Sequence, residues 1–102
     1  MPVVVMNRYI GGTPSEVVPI VKEWKEIMER NGAGSVSLSR FHTGPFVGQW
    51  LFVVRYSDWA AYGRWQDAQS ALAEDTKFKE LLERTQKIHE VTERIITVEI
   101  DI

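Results

Sequence analysis

Apolar residues in this chain recur at two periods, and the switches between them lay out seven elements. Val3 to Ile10 is rich in β-branched and bulky residues and stops at Gly11-Gly12, which predicts a strand. Thr13-Pro14-Ser15-Glu16 has the make-up of a helix start. A hydroxyl there can cap free N–H groups, and proline sits where no donor is needed. Val17, Ile20, Val21, Trp24, Ile27 and Met28 then recur at three- and four-residue steps, while Lys22, Glu23, Lys25, Glu26, Glu29 and Arg30 fill the other side. That spacing makes one apolar stripe on a helix. Asn31-Gly32-Ala33-Gly34 ends it, because Asn and Gly tolerate a left-handed cap.

Ser35 to Thr43 alternates in part and reads as a second strand. Gly44-Pro45-Phe46-Val47-Gly48 is a turn, and Gln49 to Tyr56 is a strong third strand. The pair forms an antiparallel hairpin with a loop of about five residues. Ser57 or Asp58 caps a second helix from Trp59 to about Ala73. Its expected buried stripe is Ala61, Trp65, Ala68 and Leu72. Glu74-Asp75 interrupts, and Thr76 to about Ile88 forms a third helix carrying Phe78, Leu81 and Leu82. Val91 to Ile102 closes as the fourth strand.

The order β-α-β-β-α-α-β is two βαβ-like halves joined by a hairpin, an α+β, ferredoxin-like arrangement. One domain over residues 1–102 is expected, with a four-stranded antiparallel sheet. Right-handed crossovers put the helices on one face. In the third strand Trp50, Phe52, Val54 and Tyr56 point one way, Leu51 and Val53 the other. In the first, Val3, Val5 and Tyr9 oppose Val4, Met6 and Ile10. Both faces are substantially apolar, and helices cover only one. An exposed apolar face of that size marks an interface. Two copies packed sheet to sheet across a twofold axis bury it, so a homodimer, a dimeric α/β barrel, is expected. The alternative is a monomer with a modestly apolar surface.

With 102 residues, 44% apolar and 25% charged, the chain has a globular balance. The absence of cysteine removes disulfides, a thiol nucleophile and any thiolate-ligated metal. Net charge is −2, with Lys and Arg spread along the chain. No basic face gathers to neutralise phosphates, so nucleic acid is not an expected partner. No stretch approaches the roughly 20 apolar residues that cross a bilayer, so no membrane is expected, and a cytoplasmic protein is the default expectation. The glycine pairs lack the context of a phosphate loop, and two histidines far apart in sequence are a weak basis for a metal site. No cofactor is implied.

The segments His42-Thr43-Gly44-Pro45, Gly48-Gln49-Trp50, Tyr56-Ser57-Asp58-Trp59-Ala60 and Ala73-Glu74-Asp75-Thr76-Lys77-Phe78 together resemble dimeric α/β-barrel proteins. Within that superfamily the chain looks most like NIPSNAP-like and antibiotic-biosynthesis-monooxygenase-like members. The resemblance implies a dimer with a barrel-like core and a cleft between sheet and helices in each subunit. It covers nearly the whole chain in element order, and it speaks to fold more than to activity. Some members are cofactor-free oxygenases of polycyclic phenols, some degrade heme, some are isomerases or decarboxylases, and many have no known activity. Heme degraders need a histidine on a following helix. Gln69 to Phe78 holds none, which argues against that chemistry here.

Candidate chemistry follows from residue type and place. Asn7 sits among apolar residues in the first strand. A buried amide needs partners, so it is either a satisfied structural contact or a ligand handle. It resembles the early-strand Asn with which cofactor-free relatives hold substrate. Trp65, on the buried stripe of the second helix, resembles the cleft aromatic of those relatives, or is plain core. Arg40 and His42 share one face of the second strand. They point into a pocket, as anion binder and base, or lie at a solvated strand end. His42 also matches a histidine before the hairpin turn of NIPSNAP-like sequences. Trp50 fits the cleft mouth or the dimer contact, and Tyr9 offers a hydroxyl. The expected catalytic set is Asn7, Arg40 and His42, with Trp65, Trp50 and Tyr9 as ligand contacts. His89, between Ile88 and Glu90, reads as a surface residue. Two functions compete: a binder or cofactor-independent oxygenase for a small apolar or aromatic molecule, and a non-catalytic stress-related, carrier or interaction module.

Overall fold

The computed structural model describes all of residues 1–102. Its elements are β1 (Val3–Ile10), α1 (Pro14–Arg30), β2 (Ser35–Arg40), β3 (Trp50–Tyr56), α2 (Trp59–Leu72), α3 (Thr76–Ile88) and β4 (Glu90–Val98). The strands form one sheet in the order β2-β3-β1-β4, with every neighbouring pair antiparallel. This is the expected ferredoxin-like α+β architecture, and the element order matches the sequence pattern throughout.

Two strands are shorter than the segments predicted for them. β4 ends at Val98 because Val98 already faces Val3, the first residue of β1. One further bond, from the Glu99 N–H to the Pro2 carbonyl at 2.9 Å, continues the ladder. After it no strand remains to pair with, and Ile100 and Ile102 are exposed. β2 ends at Arg40, and the hairpin closes through the Phe41 N–H to Gln49 O at 2.9 Å. Gly44 and Gly48 take positive φ in the turn between them.

Each helix begins on a cap written in the sequence. Asp58 Oδ1 accepts from the Ala61 N–H at 2.8 Å, and Asp75 Oδ1 from the Phe78 N–H at 2.9 Å. At α1 the Glu16 carboxylate accepts from the Thr13 N–H at 2.9 Å, the reciprocal half of a capping box. These contacts satisfy N–H groups that the first helical turn leaves free.

The core lies between the sheet and the helices. Val3, Val5, Val36, Phe52, Val54 and Tyr56 from the sheet meet Met28, Ala61, Trp65 and Phe78 from the helices in one cluster. The opposite sheet face has no cover. Register places Val4, Met6, Leu51, Val53 and Ile95 across its middle. The expectation of a second apolar face therefore holds for the centre and fails at the margins. β2 contributes only Ser35, Ser37 and Ser39 to this side. Arg8 lies 3.7 Å from Glu93, and Arg55 lies 2.6 Å from Glu99. The bare face is an apolar strip framed by hydroxyls and ion pairs.

Candidate functional site

Between the helix-facing side of the sheet and the three helices lies a cleft of about 410 Å³. The sheet supplies Val5, Asn7, Tyr9, Leu38, Phe52, Val54, Tyr56, Val91 and Arg94, and the α3–β4 junction supplies His89. The helices supply Val21, Trp24, Met28, Trp65, Gln69, Leu82, Thr85 and Gln86. The lining is mostly apolar with a few polar groups, the usual make-up of a small-molecule site, and its volume falls in the usual range.

Strand alternation places Asn7 on this wall, two residues from Val5 and two from Tyr9. No other side chain hydrogen-bonds its amide, which faces the cleft. Trp24 and Trp65 meet edge to face, with ring centroids 6.5 Å apart. Trp24 is held by its indole N–H, which donates to Thr85 Oγ1 at 2.9 Å. Thr85 in turn donates to the Leu81 carbonyl at 2.7 Å. Two aromatic walls are therefore fixed before any ligand arrives.

At one end Tyr9 and His89 pack ring on ring, 4.6 Å between centroids and tilted by 34°. Gly11 makes this junction possible. Its φ is +100°, and a Cβ there would come within 2.7 Å of the Ile88 carbonyl oxygen. Only glycine combines that backbone with that approach. His89 Nδ1 is buried with no hydrogen-bond partner. Burial lowers the His89 pKa, so the ring is neutral at neutral pH. Burial also raises the Tyr9 phenol, against the opposing pull of Arg94. Tyr56 is pushed up to about 12, by burial first, then by the neighbouring Tyr62 phenol, with Arg94 opposing. Both phenols are neutral hydroxyls at any physiological pH.

Arg94 reaches the cleft through an irregularity. Asn7 pairs with Arg94 and Tyr9 with Val91, so β4 takes three steps where β1 takes two. The extra residue is a β-bulge. Thr92 in this stretch donates its hydroxyl to the Arg8 carbonyl at 3.1 Å. The bulge turns both Val91 and Arg94 toward the cleft, where strict alternation would send them to opposite faces. The Arg94 guanidinium donates to the Tyr62 hydroxyl at 3.1 Å.

Of the residues singled out from sequence, Asn7, Tyr9 and Trp65 converge on this cleft. Arg40, His42 and Trp50 do not line it. His42 is exposed in the loop beyond β2. Arg40 lies over the Trp50 ring, 4.7 Å from its centroid, and its Nε donates to the Gly48 carbonyl at 3.3 Å. Arg40 and His42 therefore occupy a solvated strand end, not a pocket. β2 is an edge strand, and it ends before His42 can project over the sheet. Trp50 is only 4% exposed, packed in the core with its indole N–H directed at the Gly12 carbonyl at 3.3 Å. Trp59 is more than half exposed at 54% and lies outside the cleft. His89, Arg94 and Thr85 are cleft residues that the sequence does not single out. No group of three or more histidine or carboxylate side chains gathers in a way that holds a metal ion.

No family model matches the sequence, and no curated protein is significantly similar to it. Solved structures are similar in fold over nearly the whole chain. SnoaB, a cofactor-independent oxygenase from Streptomyces nogalater, has a TM-score of 0.72 at 14% identity, over 99% of this chain and 95% of that one. A NIPSNAP family protein from Agrobacterium tumefaciens has a TM-score of 0.72 at 21% identity, with the same coverage of 99% and 95%. A dimeric ferredoxin-like protein from an uncultured marine organism has a TM-score of 0.62 at 14% identity, over 98% of each chain. At such identities the likeness is one of architecture, and the expected kinship is met at that level: the chain has the ferredoxin-like fold shared by these NIPSNAP and oxygenase structures.

Proposed function

We propose that the chain binds a small, flat, apolar or aromatic molecule in the cleft between sheet and helices. The observation that carries this reading is the prebuilt cavity of about 410 Å³, walled by Trp24, Phe52, Tyr56, Trp65 and Tyr9, with the Asn7 amide open inside it. Ring faces supply area, and one amide fixes orientation. Turnover as a cofactor-independent oxygenase extends the same reading. In such a reaction the substrate supplies the electrons, one oxygen atom enters the product and the other leaves as water. The chain's part is to hold the substrate, with Asn7 near the reacting carbon and Trp65 against the ring, and to exclude solvent. The fold likeness to an oxygenase supports this extension. A carrier without turnover is favoured by one observation: no carboxylate lines the cleft, so His89 has no acid–base partner there.

The working unit in this proposal is a homodimer joined through the bare sheet faces. The apolar strip of Val4, Met6, Leu51, Val53 and Ile95 supports it, as does the existence of a dimeric neighbour of the same fold.

The test is titration with a neutral aromatic probe such as 2-naphthamide, read by intrinsic tryptophan fluorescence. Saturable quenching is expected, because Trp24 and Trp65 line the cleft. Trp65→Ala is expected to weaken binding about tenfold or more, and Asn7→Ala by about threefold to tenfold. Equal affinity in Trp65→Ala and the parent would reject the cleft as the site. Product formation from an electron-rich phenol under oxygen, absent in Asn7→Ala, separates the enzyme from the carrier.

A further inference from the structure

The cleft carries one permanent charge with no counter-charge. Arg94 is its sole ionised lining residue at neutral pH, since no Asp, Glu or Lys lines it and His89 is neutral. Every other guanidinium on the sheet is otherwise engaged. Arg8 lies by Glu93, Arg55 by Glu99, and Arg40 lies over Trp50 and bonds the Gly48 carbonyl. Arg94 makes no ion pair, and its one side-chain hydrogen bond goes to the Tyr62 hydroxyl at 3.1 Å. That bond occupies Nη2 and aims the group while leaving other N–H donors free. Across the register Arg94 faces Asn7, so an amide and a guanidinium open onto the same stretch of cleft. Its field reaches the cleft wall, where it draws the Tyr9 and Tyr56 phenols down against the upward push of burial.

We infer that the cleft's ligand is a monoanion, an aromatic or apolar body bearing a carboxylate or phenolate oxygen, and that Arg94 is the residue that selects the charge. This rests on the cleft being a binding site. A guanidinium fork pairs well with an anionic oxygen at the edge of a low-dielectric pocket. The apolar walls take the rings, and Asn7 serves the same polar end. A second charge has no partner in the lining, and a cationic ligand meets repulsion. The bulge at Thr92 is the device that brings this charge to the cleft's solvent-facing rim.

Three probes of one shape test it: 2-naphthoate, neutral 2-naphthamide and 2-naphthol, each titrated into the parent and Arg94→Gln. Naphthoate is expected to bind about fivefold to twentyfold more tightly than the amide at low salt, with the preference shrinking as salt rises. Arg94→Gln is expected to abolish that preference, with naphthoate losing about fivefold to twentyfold and the amide clearly less. An unchanged thermal midpoint checks the fold. If naphthol binds with the red-shifted absorption of its anion in the parent and not in Arg94→Gln, the anion is a phenolate type; a preference confined to naphthoate marks a carboxylate type. Equal affinity for naphthoate and amide in the parent overturns the inference and leaves the cleft reading standing. So does an equal loss for both in Arg94→Gln. If no probe binds, the cleft reading falls and this inference falls with it.

Discussion

His89 shows how one side chain's surroundings set its chemistry. Its ring lies against Tyr9, and burial holds it neutral below the pH at which a free histidine charges. The unfolded chain takes up a proton near the ordinary value of about 6.5, and the native chain resists it. The native pKa is depressed, so the stabilising contribution is present above that value and is lost as pH falls toward the native one. Denaturant melts between pH 7.5 and 5 are expected to show stability dropping with acid. His89→Gln is expected to flatten that slope while Glu16 and Glu23, whose carboxyls are held low by Thr13 and Arg84, act only at more acid pH. An unchanged slope would mean that other groups carry it. The residue-level reading of the sequence succeeded where alternation alone decides direction, at Asn7 and Tyr9. It missed His89 because a junction residue has no period to read.

Helices here are fixed by their ends as much as by their stripes. Asp58 and Asp75 each accept a backbone N–H from the third residue of the helix they start. Asp58→Ala and Asp75→Ala are each expected to lower stability by about 1 kcal/mol, measured in urea. Asp75→Ala is expected to loosen the cleft as well, since α3 carries Leu82, Thr85 and Gln86 on its wall. The helical stripes were legible: Val17, Ile20 and Met28 of α1, Ala61 and Trp65 of α2, and Phe78 and Leu81 of α3 are buried. Leu82, which the pattern assigns to the α3 stripe, is 36% exposed at the cleft. Strand faces were less legible. β4 changes phase at its bulge, and no composition signal in Val91-Thr92-Glu93-Arg94 announces it.

The molecule as a whole is thin and open for its mass. It spans 41 × 33 × 18 Å, and its radius of gyration is 14.0 Å, where a compact chain of this length has about 12.8 Å. Its surface of 6505 Å² exceeds the roughly 5,900 Å² of a compact monomer of this mass. Only 15 of 102 residues are buried, which leaves a core that gains from a partner. Pairing at a face of standard size would hide about 800 Å² per copy. Sedimentation at micromolar concentration is expected to give twice the 11.7 kDa chain mass. Val53→Asp, a charge in the middle of the apolar strip, is expected to give the monomer. A parent that sediments as a monomer would end the proposed pairing through this face.

Local physics was enough to write the element order, the caps and the apolar stripes, because helix and strand periods and capping side chains act over a few neighbouring residues. It was also enough to place Asn7 and Tyr9 on one wall. Tertiary structure alone decided what met them there. Trp50 became core, Arg40 and His42 stayed at a solvated strand end, and His89 and Arg94 came into the cleft. Those outcomes depend on where β2 and β4 lie at the sheet's edges and on one extra residue in the β4 ladder, which are properties of pairing between distant segments.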